Sequence, residues 1–128
     1  MSTILWYPMA RIMIAEDSKE SRMFIRDLLE IVNHEVVAEA SDGLEAVEKF
    51  KATRPDIVLL DLAMPKMDGL SALREIRKTD EKAKVILLTA SGNLRIINEC
   101  IQSGAITYLL KPFKIDDLSD AIKSTLAK

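Results

Sequence analysis

Five polar residues in this 128-residue chain end or directly follow short apolar runs, and their side-chain types could act together. They are, in chain order, Glu16, Asp17, Asp61, Thr89 and Lys111. If they met in one place, the carboxylates would raise one another's pKa values unless a cation lay among them. Oxygen ligands suit a hard ion such as Mg²⁺ better than Zn²⁺. An acidic cluster with Mg²⁺ and a lysine favours phosphoryl transfer, in which a carboxylate can be the nucleophile.

Each of these residues also has an ordinary structural explanation. Asp17-x-x-Glu20 has the spacing of a helix capping box. Asp61 can mark the point where a strand reaches the surface, and Lys111 can be a surface lysine before the turn residue Pro112. For each residue considered alone, this explanation is the preferred one. A functional interpretation therefore depends on whether the fold brings the five residues together.

Short apolar runs alternate five times with amphipathic segments along the chain. The runs are rich in Ile, Val and Leu, as strands buried on both faces are, and they cover residues 11–15, 36–40, 56–60, 84–88 and 106–110. Between the runs, apolar residues recur at helical spacing, as on the buried face of an amphipathic helix. Members of these helical stripes include Phe24, Leu44, Leu94 and Ile101.

The alternation predicts an α/β fold in which a five-stranded parallel sheet is flanked by five helices on its two faces. The common strand order at this size is the flavodoxin-like order 2-1-3-4-5. In such sheets the ligand site lies outside the carboxyl ends of the strands, where the strand order reverses, here between strands 1 and 3. We therefore expect the five polar residues to converge on one crevice.

Composition and charge are those of one soluble globular domain. Hydrophobic residues make up 48% of the chain, charged residues 30%, and the net charge is −2, which gives no sign of direct nucleic-acid binding. A single cysteine, Cys100, fits a reducing compartment, and no apolar run approaches the roughly 20 residues that span a bilayer. We expect a cytoplasmic protein without membrane insertion. Residues 9–128 should form the domain, and residues 1–8 an extension, a cloning remnant or an early strand.

Four segments resemble the motifs of response-regulator receiver domains of two-component signalling, in family order and at family spacing. They are EDS (16–18), DLAMPKMDG (61–69), TA (89–90) and KPF (111–113), and the resemblance covers about residues 10–127. It implies a chemotaxis-regulator-like single domain in which Asp61 is the phosphoacceptor. The phosphoryl group would come from a sensor histidine kinase or a phosphotransfer protein. The domain would be a switch or a phosphorelay intermediate, and no enzyme beyond its own phosphorylation and dephosphorylation.

The resemblance also implies roles for the residues around Asp61. Mg²⁺, or Mn²⁺ in its place, would be bound by Asp17, Asp61 and the main-chain carbonyl of Ala63, and by Glu16 through water. The remaining roles fall to three residues of strands 4 and 5. Thr89 and Lys111 would contact the phosphoryl group, the Lys111–Pro112 bond would be cis, and Tyr108 would turn inward on activation. The surface of helix 4, strand 5 and helix 5 would then change, which controls binding of a downstream target or of a second copy in a phosphorylation-dependent dimer.

Two positions depart from the family pattern, and three other functions stay open. Glu16 stands where the family most often has aspartate, and Ala63 offers no side chain to an attacking water. A phosphatase of the haloacid-dehalogenase type would need a second acid at position 63. A flavodoxin would need a hydroxyl-rich and glycine-rich loop after strand 1, where this chain carries acids. The third alternative is a receiver that is never phosphorylated and serves as a protein-binding module. The protein either stands alone or belongs to a longer regulator.

Overall fold

The computed structural model describes residues 9–128, so the prediction for residues 1–8 lies outside the described residues. Five strands alternate with five helices. The strands are β1 (Arg11–Ala15), β2 (Glu35–Ala40), β3 (Ile57–Asp61), β4 (Val85–Thr89) and β5 (Thr107–Leu110). The helices are α1 (Lys19–Ile31), α2 (Gly43–Thr53), α3 (Gly69–Thr79), α4 (Leu94–Gln102) and α5 (Ile115–Leu126). All strand pairs are parallel, and the order β2-β1-β3-β4-β5 confirms the predicted sheet.

Two apolar clusters lie on opposite faces of the sheet, because alternate side chains of each strand point to opposite sides. In β3, Val58 and Leu60 pack with Phe50 of α2 and with residues of α3. Ile57 and Leu59 pack with α1 and α5 on the other face. Every residue of β3 and β4 is buried, so these two central strands form the most enclosed part of the molecule.

Two strands end one residue later than the apolar runs indicate. β3 includes Asp61 and β4 includes Thr89, and both side chains are buried. The ladder pairs Asp61 with Leu88 and Thr89 with Leu110, so both polar residues are held by the sheet itself. Asp61 and Thr89, polar residues whose burial costs free energy, are therefore the last paired residues of the two central strands.

Not every member of the predicted helical stripes faces the sheet. Ile25 and Leu29 of α1 are buried, whereas Phe24 is 54% exposed. The other exposed members are Leu44, Leu94 and Ile101. Successive residues lie about 100° apart around a helix, so a helix resting on a sheet buries a narrow strip. The prediction that these four residues belong to buried faces is wrong for this reason.

A serine rather than Asp17 caps α1. The Oγ atom of Ser18 accepts a hydrogen bond from the N–H of Ser21 at 3.3 Å, and α1 begins at Lys19. The capping-box explanation for Asp17 is therefore wrong, because the cap lies one residue later. Asp68 does cap α3, accepting from the N–H of Ser71 at 2.8 Å.

Gly69 lets α3 begin directly against the end of β3. A Cβ atom at this position would lie 2.5 Å from the main-chain oxygen of Asp61 and 2.6 Å from the Cα of Leu62. The N–H of Gly69 donates to the main-chain oxygen of Leu62 at 3.0 Å. The loop after β3 thus folds back closely onto the strand end that carries Asp61.

Replacing Gly69 with alanine should lower the free energy of unfolding by about 1–3 kcal/mol, the usual cost of forcing a methyl group into filled space. Gly92 is a matched control, because a Cβ atom there meets nothing within 4 Å. Gly92→Ala should change stability by no more than about 1 kcal/mol, in the stabilising direction. Chemical denaturation measures both variants, and equal losses would contradict the close approach at Gly69.

Candidate functional site

Three carboxylates meet at the adjacent carboxyl ends of β1 and β3. Ala15 pairs with Leu60 across the two strands, so the residues that follow, Glu16 and Asp61, come side by side. Glu16, Asp17 and Asp61 each offer one oxygen atom, and these atoms lie within 4.8 Å of one another. They line an open cavity of about 660 Å³ that Thr89 and Lys111 also line.

Lys111 reaches this cluster from the far side of β4. Because β4 separates β5 from β3, the backbones of Lys111 and Asp61 lie roughly 10 Å apart, or two strand spacings. The long side chain spans that distance: Nζ donates to Glu16 Oε1 and lies 3.4 Å from Asp61 Oδ2. The N–H of Lys111 donates to the main-chain oxygen of Thr89 at 2.7 Å. The Lys111–Pro112 bond is cis.

The pKa values of Glu16 and Asp61 are shifted in opposite directions, although burial acts to raise both. Burial acts to raise the pKa of Glu16, but hydrogen bonds with Lys111, Asp61 and the backbone of Ser18 outweigh it and lower the pKa. Burial and the hydrogen-bonded neighbour Glu16 raise the pKa of Asp61 to about 6, against the N–H of Ala63, which donates to Asp61 Oδ1 at 3.2 Å. Of these two carboxylates, Asp61 is thus the one whose negative charge is less well compensated.

The donor set fits a hard divalent cation. Three carboxylates face one ammonium group, so the site carries excess negative charge that a cation would neutralise. All the side-chain atoms that could bind the metal are carboxylate oxygens, and Mg²⁺ prefers oxygen ligands. Ala63 also lines the cavity, and the role of its carbonyl as a metal ligand stays a prediction.

Thr89 and Tyr108 stand apart from the carboxylates in their present contacts. The hydroxyl of Thr89 donates to the main-chain oxygen of Ser91 and accepts from its N–H, each at 3.1 Å. Thr89 is therefore tied to the loop between β4 and α4. Tyr108 of β5 is 39% exposed, so the structure places its ring at the surface and not in the cavity.

Arg22 is a contributor that the sequence reasoning missed. Its Nη1 donates to the main-chain oxygens of Glu16 and Asp17, the two residues that carry the acids of the β1–α1 loop. The sequence signal was slight: an arginine within the first turn of a helix that follows an acidic strand end. Whether such a side chain turns back to the loop depends on the course of the backbone.

The fold and the site together define a doubly wound α/β protein with an acidic cluster at the switch point of its sheet, whose oxygen atoms could hold a cation. The response regulator receiver domain family matches residues 12–123. The chain belongs to this family of two-component signalling proteins, which confirms the resemblance of its four motifs. Membership decides against the phosphatase and flavodoxin alternatives.

Two relatives from Bacillus subtilis match the chain over most of their own length. The chain is 44% identical over 116 residues to the chemotaxis protein CheY of Bacillus subtilis, covering 91% of this chain and 97% of that protein. It is 36% identical over 116 residues to the sporulation initiation phosphotransferase F of Bacillus subtilis, with 91% and 93% covered.

Solved structures agree with the fold. A CheX-CheY-BeF₃-Mg²⁺ complex from Borrelia burgdorferi matches with a TM-score of 0.91 at 30% identity, covering 100% of this chain and 96% of that chain. The receiver domain of a sensor histidine kinase from Pseudomonas aeruginosa, with a magnesium ion coordinated in its active-site cleft, matches with a TM-score of 0.85 at 30% identity. That match covers 94% of this chain and 100% of that domain.

Among residues 9–128, none of the helices is long and apolar enough to cross a membrane.

Removing the charge of Asp61 should stabilise the metal-free protein at neutral pH. The pKa of Asp61 is about 6 in the folded state against 3.8 for an ordinary aspartate. Folding therefore favours the protonated form, and the stability penalty is full above about pH 6 and fades as the pH falls toward 4. Asp61→Asn should raise the free energy of unfolding by on the order of 2 kcal/mol at pH 7.5, and by less than half of that near pH 4. Denaturant titrations in EDTA at both pH values measure the difference.

Asp42→Asn is a control of opposite sign. The N–H of Glu45 holds the pKa of the Asp42 carboxyl below its usual value, with Lys66 contributing in the same direction. Stabilisation by the ionised form of Asp42 is present above its ordinary pKa and is lost as the pH falls, so Asp42→Asn should not stabilise at pH 7.5. A gain from Asp61→Asn that is equal at both pH values would contradict the electrostatic account.

Proposed function

We propose that the protein is a signalling switch that accepts a phosphoryl group on Asp61 from the phosphohistidine of a sensor histidine kinase or a phosphotransfer protein. The observation that carries the proposal is the placement of Asp61. Its carboxylate is buried, lines the cavity, has a raised pKa, and lies 3.4 Å from the ammonium group of Lys111. Asp17 and Glu16 complete the acidic cluster beside it.

The transfer is a displacement at phosphorus. A carboxylate oxygen of Asp61 forms the new O–P bond as the N–P bond of the donor breaks, and the imidazole nitrogen keeps the electron pair. Lys111 neutralises charge on the phosphoryl oxygens from the side of β5. Asp17, Asp61 and the carbonyl of Ala63, with Glu16 through water, would hold Mg²⁺ or Mn²⁺, which would supply further neutralisation of charge on the phosphoryl group.

Phosphorylation adds roughly two negative charges and three strong acceptors at the end of β3. The hydroxyl of Thr89 then exchanges its bonds with Ser91 for a bond to a phosphoryl oxygen, which draws in the loop before α4. Space opens behind Thr89, and the exposed ring of Tyr108 turns inward. The change is a shift in the populations of two conformations, so it alters how often the surface is competent to bind.

The output surface comprises α4, β5 and α5, where apolar side chains are already exposed. These side chains are Leu94, Ile96, Ile101, Tyr108 and Leu110. The proposed partners are a phosphodonor on the input side and a downstream target protein, or a second copy, on this surface. In this proposal the phosphodonor and this protein are both cytoplasmic. The domain itself does not bind nucleic acid, insert into a membrane or catalyse a further reaction.

A second candidate function is a binding module that needs no phosphate. The observation in its favour is that the apolar residues of the α4–β5–α5 surface are exposed without phosphorylation. The two candidates differ in one respect, which is whether Asp61 reacts.

Incubation with acetyl phosphate and Mg²⁺ should add one phosphoryl group to the intact protein, because the carboxylate of Asp61 is accessible from the cavity. The gain should be absent in EDTA and in Asp61→Asn, and present in Asp56→Asn, an aspartate that binds the N–H of Arg11 at the start of β1. Intact-mass spectrometry measures it. A folded wild-type protein that gains no mass and does not respond to beryllofluoride with Mg²⁺ would favour the binding module.

Thr89→Ala should separate phosphorylation from its consequence. The variant lacks the hydroxyl that links the phosphoryl group to the loop before α4, so Asp61 should still react while the signals of Tyr108 and α4 stay near their starting positions. NMR chemical-shift changes on adding beryllofluoride and Mg²⁺ measure the response. Thr89→Ser, which keeps the hydroxyl, is the matched control and should respond like wild type. A full response in Thr89→Ala would refute the role of Thr89.

A further inference from the structure

Arg22, in the first turn of α1, connects the acidic loop to the edge strand of the sheet. Its Nη1 donates to the main-chain oxygen of Glu16 at 2.7 Å and to that of Asp17 at 3.2 Å. Its Nε lies 3.6 Å from Oε1 of Glu39 on β2, and the side chain is 17% exposed. One mostly buried guanidinium therefore contacts both acidic residues of the loop through their backbones.

These contacts act where the course of the backbone decides the position of the carboxylates. Only residues 16–18 connect β1 to α1. The N–H of Glu16 donates to the main-chain oxygen of Ala40, which anchors the start of the loop. Ser18, at the end of the loop, caps the N-terminus of α1. The carbonyls of Glu16 and Asp17 lie between these anchors, and a rotation of the peptide that joins them would move the Asp17 carboxylate relative to Asp61.

The three carboxylates also repel one another, and this repulsion is strongest when no cation is bound. The loop must therefore resist being pushed open before the metal arrives. The guanidinium of arginine is a planar set of donors that can hold several acceptors in a defined geometry. Outer groups that orient metal ligands in this way typically change metal affinity 10–100-fold when they are removed.

We propose that Arg22 is a positioning residue for the divalent-cation site. It holds the Glu16–Asp17 backbone so that the Asp17 carboxylate faces Asp61 before the cation binds. The inference rests on the proposed function, since it concerns the same cation site. Arg22 contacts neither the phosphoryl group nor the metal in this proposal.

A simpler explanation is that Arg22 only ties α1 to β2 through Glu39. Arg26, one turn further along α1, provides the comparison that separates the two explanations. Arg26 binds Oε2 of the same Glu39, and its Nε lies 3.7 Å from Oε1 of Glu30. Like Arg22, Arg26 links α1 to β2, but its partners are Glu30 and Glu39 and not the backbone of the acidic loop.

Calorimetric Mg²⁺ titrations of the full chain at pH 7.5 test the proposal. Arg22→Met, which keeps an apolar stem, should weaken Mg²⁺ binding about tenfold or more. Arg26→Met should stay within about twofold of wild type, because it removes a Glu39 contact and leaves the loop bonds intact. Arg22→Lys keeps the charge but loses the planar donors, so it should fall between Arg22→Met and wild type. If Arg22→Met fails to fold, Arg22→Lys carries the comparison with Arg26→Met.

A second readout distinguishes positioning from a general loss of structure. The Mg²⁺ concentration that gives half-maximal phosphorylation by acetyl phosphate should rise in Arg22→Met, while the rate at saturating Mg²⁺ stays within about twofold of wild type. Wild-type affinity in Arg22→Met, equal losses in Arg22→Met and Arg26→Met, or a maximal rate that falls with the affinity would each overturn the inference. In those outcomes the wild type still binds Mg²⁺, and the proposed function stands. A wild-type chain that binds no Mg²⁺ would overturn both.

Discussion

The burial of a carboxylate next to other carboxylates is the interaction on which the rest of this structure depends. Asp61 and Glu16 are enclosed at the ends of neighbouring strands, where an unpaired charge is costly. A single ammonium group, from Lys111, lies between them. Burial and the neighbouring Glu16 raise the pKa of Asp61, and the excess negative charge of the cluster fits a divalent cation. The same excess would make the site sensitive to a phosphoryl group, which brings further charge to a place that is already unbalanced.

The parallel sheet makes this arrangement of charged side chains possible. Adjacent strands bring Glu16 and Asp61 together by register, and Lys111 joins from β5 because its side chain is long enough to pass β4. Gly69 allows the following helix to start against the same strand end. Each feature is unremarkable for its residue type, and the function depends on the common edge at which they meet.

The sequence predicted the sheet and the convergence of the polar residues at the strand ends, since both follow from strong local patterns. Apolar runs mark strands, and in a parallel sheet strand ends share an edge, so the convergence of Asp61 and Lys111 could be foreseen. The orientation of the helices could not. Phe24 lies on the apolar side of α1 by periodicity yet is exposed, because the strip buried against the sheet is narrower than the stripe. The return of Arg22 to the loop was equally invisible, as it depends on backbone directions that no residue spacing encodes.

The complete burial of β3 and β4 has a consequence for where the molecule can yield. Resistance to local unfolding is greatest where backbone and side chains are most enclosed, so Asp61 lies in a part of the chain that should open least often. In α4, by contrast, only Ile97 and Cys100 are buried. A change of charge at Asp61 would therefore occur beside fully buried strands, while the more exposed helix α4 has more freedom to move in response. The fold thus separates the enclosed strands that carry Asp61 from the more exposed helix α4.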